Sequence, residues 1–460
     1  LDAPFQSRTP TRTCDAFIDL YPWQKTAAST IYIYNVHKPS PGTAVKGGKG
    51  MELDLFLRLA VLGWLITAAP GAAAGGGFVR SRGGRLVTPE GGPFYADGFN
   101  AYWFMDVGSD PGRRDDVSTA LRQAASLGLT VARTWAFSDG GAVPLQRSPG
   151  VYDERTFRGL DFAISEAQKH GIRLILSLVN NYEAYGGKKQ YVAWAREAGQ
   201  ALASEDDFFT NSLTMTFYKN HIKKVITRNN SVNGVVYRDD PTILSWELMN
   251  EPRCPTDSSG KSLQRWIQEM ASFVKSIDRN HLLEIGLEGF YGQATPQRQQ
   301  YNPNPSSHEQ GTDFISNNLI RDVDFVTVHA YPDQWLGNAT SEETQLQFLD
   351  KWVSIHAIDA HETLKKPVMY TEFGKSKGDP GYTVAQRNRV FNTVLSAVDQ
   401  SAKLGGPVAG GLFWQLLASG MDSYRDGNEV VVGENPSTDS LISSYRAKAS
   451  PEEKPKSRNI

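Results

Sequence analysis

Between residues 78 and 444 the chain alternates short apolar runs with longer segments whose apolar positions recur every three or four residues. The short runs have strand length. They are 93–104 ("PFYADGFNAYWF"), 130–137 ("TVARTWAF"), 172–179 ("IRLILSLV"), 242–249 ("TILSWELM"), 282–287 ("LLEIGL"), 324–331 ("DFVTVHAY"), 367–373 ("PVMYTEF") and 408–415 ("VAGGLFWQ"). The run at 172–179 is continuously apolar, as a parallel strand covered on both faces should be. Helices are predicted between the runs, over 117–127, 156–170, 208–227, 262–278, 341–364 and 383–402. In 156–170, Phe157, Leu160, Ile164 and Ala167 share one face, and Gly171 closes the helix. In 383–402 the stripe is Val390, Val394, Leu395 and Val398, and Ser262 is a candidate cap for 262–278. Eight strands in alternation with helices predict an α/β fold, a single (β/α)8 TIM barrel with extended βα loops. An open doubly wound sheet is the alternative. No G-x-G-x-x-G follows the first strand, which counts against it. The long loops 180–194 and 288–311, rich in aromatic and polar residues, would emerge at the C-terminal face, where barrels bind ligands.

A barrel gathers the C-terminal ends of its strands at one mouth. Those ends carry Trp103, then Arg133 and Trp135, then Asn180 and Asn181, then Asn250 and Glu251, then His329 and Tyr331, then Glu372, and last Trp414. Glu288 lies just past the fifth strand and is a candidate for lining the cleft. A lone strand-end Glu is usually half of a structural ion pair. Two such Glu among Arg, Asn, His, Tyr and Trp point instead to glycoside hydrolysis. That reaction needs one carboxyl protonated for the leaving oxygen and one ionised to attack or to direct water. Arg133 suits holding a carboxylate ionised, Asn250 a sugar hydroxyl, and His329 and Tyr331 orientation of the nucleophile. Trp414, with Trp103 and Trp135, offers ring platforms for sugars. Glu247, inside its strand, is expected to pair with a buried cation such as Arg133, and Glu284 is read in the same way.

Composition narrows the partners. With 48 basic against 50 acidic residues there is no positive excess to neutralise phosphates, so nucleic acid is not expected. Only Cys14 and Cys254 are present, which excludes a disulfide framework. No His/Cys/Asp cluster has metal-ligand spacing, and no P-loop or G-x-S-x-G occurs, so neither metal nor cofactor is expected. Residues 38–50 are rich in Pro, Gly and Lys, and 1–50 read as an upstream extension. Met51 then opens a stretch whose apolar run, 59–69, ends in Pro, Gly and "AAA", the pattern of a secretory signal over 51–74. A signal-anchor helix is the alternative, and Arg58 and the shortness of the run speak against it. The expected organisation is therefore a leader, a catalytic domain at 75–447 and a Lys/Pro/Glu-rich tail at 448–460. Such a chain is expected to be secreted to the cell wall and to act as a monomer without membrane attachment. Sequons at Asn229 and Asn338 fit a secreted surface.

Ten segments carry a resemblance: "GFNAYWFM", "ARTWAFSDGG", "NNYEAYGGKKQYVAW", "DDFFTN", "DDPTILSWELMNEPRC", "GLEGFYG", "GTDFI", "VHAYPDQWL", "TEFGKS" and "GLFWQLLASG". Together they resemble the plant endo-β-1,4-mannanases of glycoside hydrolase family 5, clan A, over about residues 78–447. The resemblance implies retaining hydrolysis of β-1,4-mannosidic bonds in mannan, glucomannan and galactomannan. It implies Glu251 of "NEP" as acid/base and Glu372 of "TEFG" as nucleophile. Arg133, Asn250, His329, Tyr331 and Trp414 match the family's site. The residues alone leave open an endoglucanase or a mannan transglycosylase on the same barrel. A non-catalytic carbohydrate-binding barrel is disfavoured by the presence of both Glu251 and Glu372.

Overall fold

A computed structural model describes residues 77–337 and 340–449. The extension 1–50, the leader 51–74, Cys14, the Asn338 sequon and the tail from 450 onward lie outside the described residues. Eight strands form the central sheet: β1 (Ala96–Asn100), β2 (Val131–Trp135), β3 (Arg173–Ser177), β4 (Ile243–Glu247), β5 (Leu282–Glu284), β6 (Val326–Ala330), β7 (Val368–Phe373) and β8 (Val408–Phe413). All pairings are parallel and run β6-β7-β8-β1-β2-β3-β4-β5. The two edges meet where Asp324 N donates to Leu283 O (2.8 Å) and His329 N to Glu288 O (3.0 Å), which completes the ring. The outer helices are α1 (Arg114–Leu127), α2 (Glu154–Lys169), α3 (Ser212–Ile226), α4 (Lys261–Ile277), α5 (Phe314–Asn318), α6 (Glu342–Asp359), α7 (Val384–Leu404) and α8 (Pro436–Ala449).

The apolar stripes explain the packing. Phe157, Leu160, Ile164 and Ala167 of α2, and Val390, Val394, Leu395 and Val398 of α7, are all buried against the sheet. Three local expectations change. The chain after β1 does not stay extended to residue 104 but turns into a short helix, Phe104–Gly108. The loop after β3 contains its own helix, Gly187–Glu197. Ser262 lies inside α4 rather than at its cap. The cap residue is Gly260, and Asp257 Oδ2 accepts from Ser262 N (2.9 Å) and so satisfies a first-turn donor.

Inside the ring the side chains form layers. The N-terminal end is apolar, built from Ala96, Val131, Ile175, Leu244, Leu282, Phe325, Met369, Ala409 and Leu412. A hairpin, Arg80–Arg82 with Arg85–Val87, caps that end with Val79 and Leu86. The middle of the ring is polar. Register sets Asn100 beside Arg133, Glu247 beside Glu284, and His329 beside Glu372. This polar layer lies directly beneath the C-terminal mouth.

Candidate active site

At that mouth is a cleft of about 580 Å³, lined by aromatic rings, amides and carboxylates, Glu251 and Glu372 among them. Its foundation is Arg133, wholly buried, with every N–H donor engaged. Nε and Nη2 donate to Glu247 (2.6 and 2.7 Å), Nη2 also to Asn250 Oδ1 (2.7 Å), and Nη1 to Asn100 Oδ1 (3.1 Å) and Glu372 Oε1 (2.5 Å). Burial works against the guanidinium charge, and Glu247 and Glu372 outweigh it and hold Arg133 charged. The expected Arg133–Glu247 pair is thus present. Glu284, beside Glu247, goes the other way. Burial first, then the Glu247 charge, pushes its carboxyl well above the usual range.

Glu372 ends β7. Its second oxygen accepts from Tyr331 OH (2.7 Å), and burial first, then Glu372, keeps that phenol protonated. Glu251 lies just past β4 and adopts a left-handed backbone, φ 49°, uncommon for a residue with a Cβ. Its N donates to Gly286 O (3.0 Å), and Gly286 must be glycine, because a Cβ there would lie 1.9 Å from Met249 O. The Glu251 carboxylate accepts from His329 Nδ1 (2.6 Å) on Oε1 and from Tyr182 OH (2.8 Å) on Oε2. His329 is 3.7 Å from Glu372 Oε2, so it lies between the two carboxylates. One donor atom from each of Glu251, His329 and Glu372 lies within 4.8 Å of the others. Such a trio also has the chemistry of metal ligands, but the short His329–Glu251 hydrogen bond takes up Nδ1, and Arg133 and Tyr331 engage the two Glu372 oxygens.

Charge is distributed unevenly over the trio. Burial pushes Glu251 up, but the His329 bond and charge, then Arg253 and Tyr182, pull it down to about 2. Burial drives Glu372 up, as does the Glu251 charge, against His329, Arg133 and Tyr331. His329 is raised despite its burial, by Glu372 and Glu251. Both shifts favour the charged forms of His329 and Glu251 as a pair.

Rings and amides complete the walls. Trp414 stacks on Tyr102 (5.5 Å between centroids, 9°), and its Nε1 donates to Asp426 Oδ2 (2.5 Å). Trp135 carries the Arg133 guanidinium 4.9 Å from its ring and turns toward the cleft. Asn250 lines the cleft, held by Nδ2 donating to Asn180 Oδ1 (3.0 Å). On the other wall, Arg253 forks onto Glu288 (2.7 and 2.5 Å). Burial, then the Glu251 charge, pushes Glu288 up to about 7 against that pairing.

Residues 77–445 match the family described as GH family 5 beta-mannosidase-like. The chain belongs to glycoside hydrolase family 5. It is 58% identical to mannan endo-1,4-beta-mannosidase 1 of Oryza sativa subsp. japonica over 81% of this chain and 86% of that protein. It is 57% identical to mannan endo-1,4-beta-mannosidase 7 of Arabidopsis thaliana, over 82% and 86%. Among solved structures, the endo-1,4-beta-mannanase of Rhizomucor miehei superposes with a TM-score of 0.68 at 30% identity, covering 81% of this chain and 99% of that one.

In this family 5 chain the strand-end residues converge apart from Trp103 and Asn181, the latter accepting from Arg253 N (3.2 Å) on its Oδ1 without lining the cleft. Trp103 is not in the cleft. It is fully buried, its Nε1 donating to Leu416 O (3.1 Å), because the helical turn beginning at Phe104 rotates it inward and leaves Tyr102 facing the cleft. Arg133 and His329 are also fully buried, so they touch the carboxylates from beneath rather than line the cleft. Sequence reasoning missed Tyr102, Tyr182, Arg253, Trp335, Asp426 and Asn428, all of which line it. Arg253 was within reach, two residues after Glu251. Asp426 and Asn428 had no signal, since the loop after β8 carries no strand-like pattern.

Proposed function

We propose that this cleft hydrolyses internal β-1,4-mannosidic bonds of mannans with retention of configuration, Glu372 as nucleophile and Glu251 as acid/base. The chain is a mannan endo-1,4-β-mannosidase. The observation that carries the mechanism is the spacing: oxygens of Glu251 and Glu372 lie within 4.8 Å. Retaining pairs stand about 5–5.5 Å apart, and inverting pairs need about 6.5–9.5 Å to admit water.

The partners favour this division of roles. Arg133 and Tyr331 both donate to Glu372, which steadies a carboxylate facing the anomeric carbon. Glu251 has a proton close by. Movement of the Nδ1 proton of His329 across the 2.6 Å bond leaves a neutral acid and a neutral imidazole. The Glu251 charge that pushes Glu372 upward then disappears, and its two fixed donors keep Glu372 ionised. Glu251 gives its proton to the leaving oxygen as Glu372 bonds to the sugar. Ionised again, it takes a proton from water in the second step. Trp414 serves as the floor for the sugar being cleaved, and Trp135 and Asn250 as further contacts.

The test is cleavage of mannohexaose against cellohexaose, with the product anomer followed by NMR. Preferential cleavage of mannohexaose with the β-anomer formed first is expected. A first-formed α-anomer would overturn the nucleophile role, and faster cleavage of cellohexaose would make the enzyme a glucanase. The proposal includes a monomeric enzyme released by removal of the 51–74 leader. No described helix is long and apolar enough to cross a membrane. N-terminal sequencing of protein recovered from the medium of a secreting host should begin near Gly75, and retention of residues 51–74 would refute it.

A further inference from the structure

The connection from α3 to β4 carries a motif that the catalytic chemistry does not use, Asn229-Asn230-Ser231. It lies at the N-terminal end of the ring, opposite the cleft. The chain folds back on itself there. Tyr237 N donates to Arg228 O (2.9 Å) and Asn230 N to Val235 O (2.9 Å), and Asn229 faces Val236 in an antiparallel bridge between them. In extended chain, alternate side chains take opposite faces. Arg228 and Asn230 take the inner face and are 8% and 0% exposed. Both reach Asp161 of α2. Arg228 Nε and Nη2 donate to its carboxylate (2.9 and 2.6 Å), and Asn230 Nδ2 donates to its carbonyl (3.1 Å). Asn229, between them, is left on the outer face and is exposed.

The third residue is held differently. Ser231 N and Oγ both donate to Asp161 Oδ2 (3.1 and 2.7 Å), which closes the turn onto the buried carboxylate. An Asn-Xaa-Ser triplet is the acceptor for N-linked oligosaccharide in a secreted chain provided that Xaa is not Pro, and Asn230 meets that condition. The two demands on Ser231 fall at different times. Transfer needs the hydroxyl and the Asn229 amide together in an accessible, extended chain, whereas in the folded protein the hydroxyl is engaged by Asp161. An oligosaccharide already on Asn229 displaces nothing in the fold, because that residue is exposed. It also leaves the polysaccharide cleft open, because cleft and triplet are at opposite ends of the barrel.

We propose that Asn229 carries an N-linked oligosaccharide, transferred before the 228–237 turn closes on Asp161. The proposal rests on the secretory reading of residues 51–74. The donor is a lipid-linked oligosaccharide pyrophosphate. Asn229 Nδ2 bonds to the anomeric carbon of its first sugar. The carbon–oxygen bond to pyrophosphate breaks, the leaving oxygen keeps the electron pair, and one amide proton is released.

The chain from Met51, and a second version with an unrelated leader joined to Gly75, are expressed in a secreting eukaryotic host. Protein from the medium is treated in heavy-oxygen water with an amidase that releases N-linked glycans, which turns each occupied Asn into labelled Asp. Peptides are then read by mass spectrometry. Label at position 229 is expected in both versions and should persist in Ser231→Thr. Asn229→Gln should lose one glycan and keep the wild-type kcat/KM on mannan. A fall in kcat/KM would overturn the placement away from the cleft. No label at position 229 in the version with the unrelated leader overturns the proposal, whatever the Met51 chain does. Label there without secretion of the Met51 chain leaves the site standing and sinks only the leader reading. The order of events is tested on chain made without glycan in bacteria and then given the transferase and the lipid-linked donor, either folded or diluted from urea. Modification is expected only on dilution from urea, and equal modification of the folded chain would overturn the order.

Discussion

Removing the Glu372 carboxylate removes the atom that would bond to the sugar, so Glu372→Ala should stall even on a substrate with an activated aryl leaving group. Glu251→Ala loses only proton transfer, worth roughly 10²–10⁴-fold. An activated aryl group needs no proton, so its bond should still break and the glycosyl-enzyme should accumulate. Azide needs no base. It should rescue Glu251→Ala to the β-mannosyl azide by two inversions, and Glu372→Ala to the α-azide by one. Swapped anomers by NMR would reverse the roles. His329 is raised above its ordinary value of 6.5, so the alkaline limb of kcat/KM should lie above that value. In His329→Gln an N–H can still reach Glu251 but no proton is stored. The limb should then move to lower pH and kcat should fall by up to about 10²-fold, with KM little changed. An unmoved limb would leave His329 a positioning role alone. Both glutamates were legible in the sequence because each ends an apolar run, where a carboxylate without a function would be costly. Trp103 was misplaced because strand periodicity was carried past Asn100, where the strand ends and the chain turns toward the helix at Phe104.

Elements were more legible than their ends. The eight strands and the stripes of α2 and α7 follow from period alone, since each must bury one face against the sheet. The helix Gly187–Glu197 was hidden by the Gly and Tyr residues of its loop, and α5, five residues long, is too short to show a period. α3 contains a group that gives one element a measurable pH dependence. His221 is fully buried, stacked on Tyr152 (6.0 Å, 15°), and burial lowers it from 6.5 to about 4 against weaker backbone contacts. Its folded value lies below its unfolded one. Between pH 6.5 and about 4 the unfolded chain therefore binds a proton that the folded chain does not, and stability falls as pH falls through that window. The shift corresponds to about 3 kcal/mol. Denaturation midpoints in urea across this range should show the loss, and His221→Leu should flatten it even if that variant is less stable overall. An unchanged slope in the variant would assign the effect to other groups. Glu251, at about 2, cannot mimic it, because its contribution is present above its ordinary 4.5 and is lost only below that value.

At the scale of the whole molecule the two ends of the barrel do different work. The C-terminal mouth is charged, hydrogen-bonded and open. The N-terminal end is a closed apolar floor whose cap comes from the first described residues of the chain. Val79 and Leu86 are 3% and 1% exposed against that floor. Arg80 Nη1 donates to Asn280 O (2.7 Å), and Phe78 meets His281 edge-on (4.9 Å), which anchors the cap to the β5 side of the ring. This sets where the folded unit must begin. A chain starting at Gly75 keeps the cap and should have the same denaturation midpoint as one starting at Met51. A chain starting at Gly91 loses both apolar side chains. At roughly 1.5–3 kcal/mol for each buried side chain, it should be less stable by about 3–6 kcal/mol. Its kcat on mannan, measured well below the transition, should be close to that of the longer chain, because the polar layer around Arg133 separates the floor from Glu251 and Glu372. If the Gly91 chain had an unchanged midpoint, the hairpin would be an ornament rather than a cap. If the Gly75 chain were already weakened, residues 51–74 would belong to the folded enzyme and the leader reading would fail.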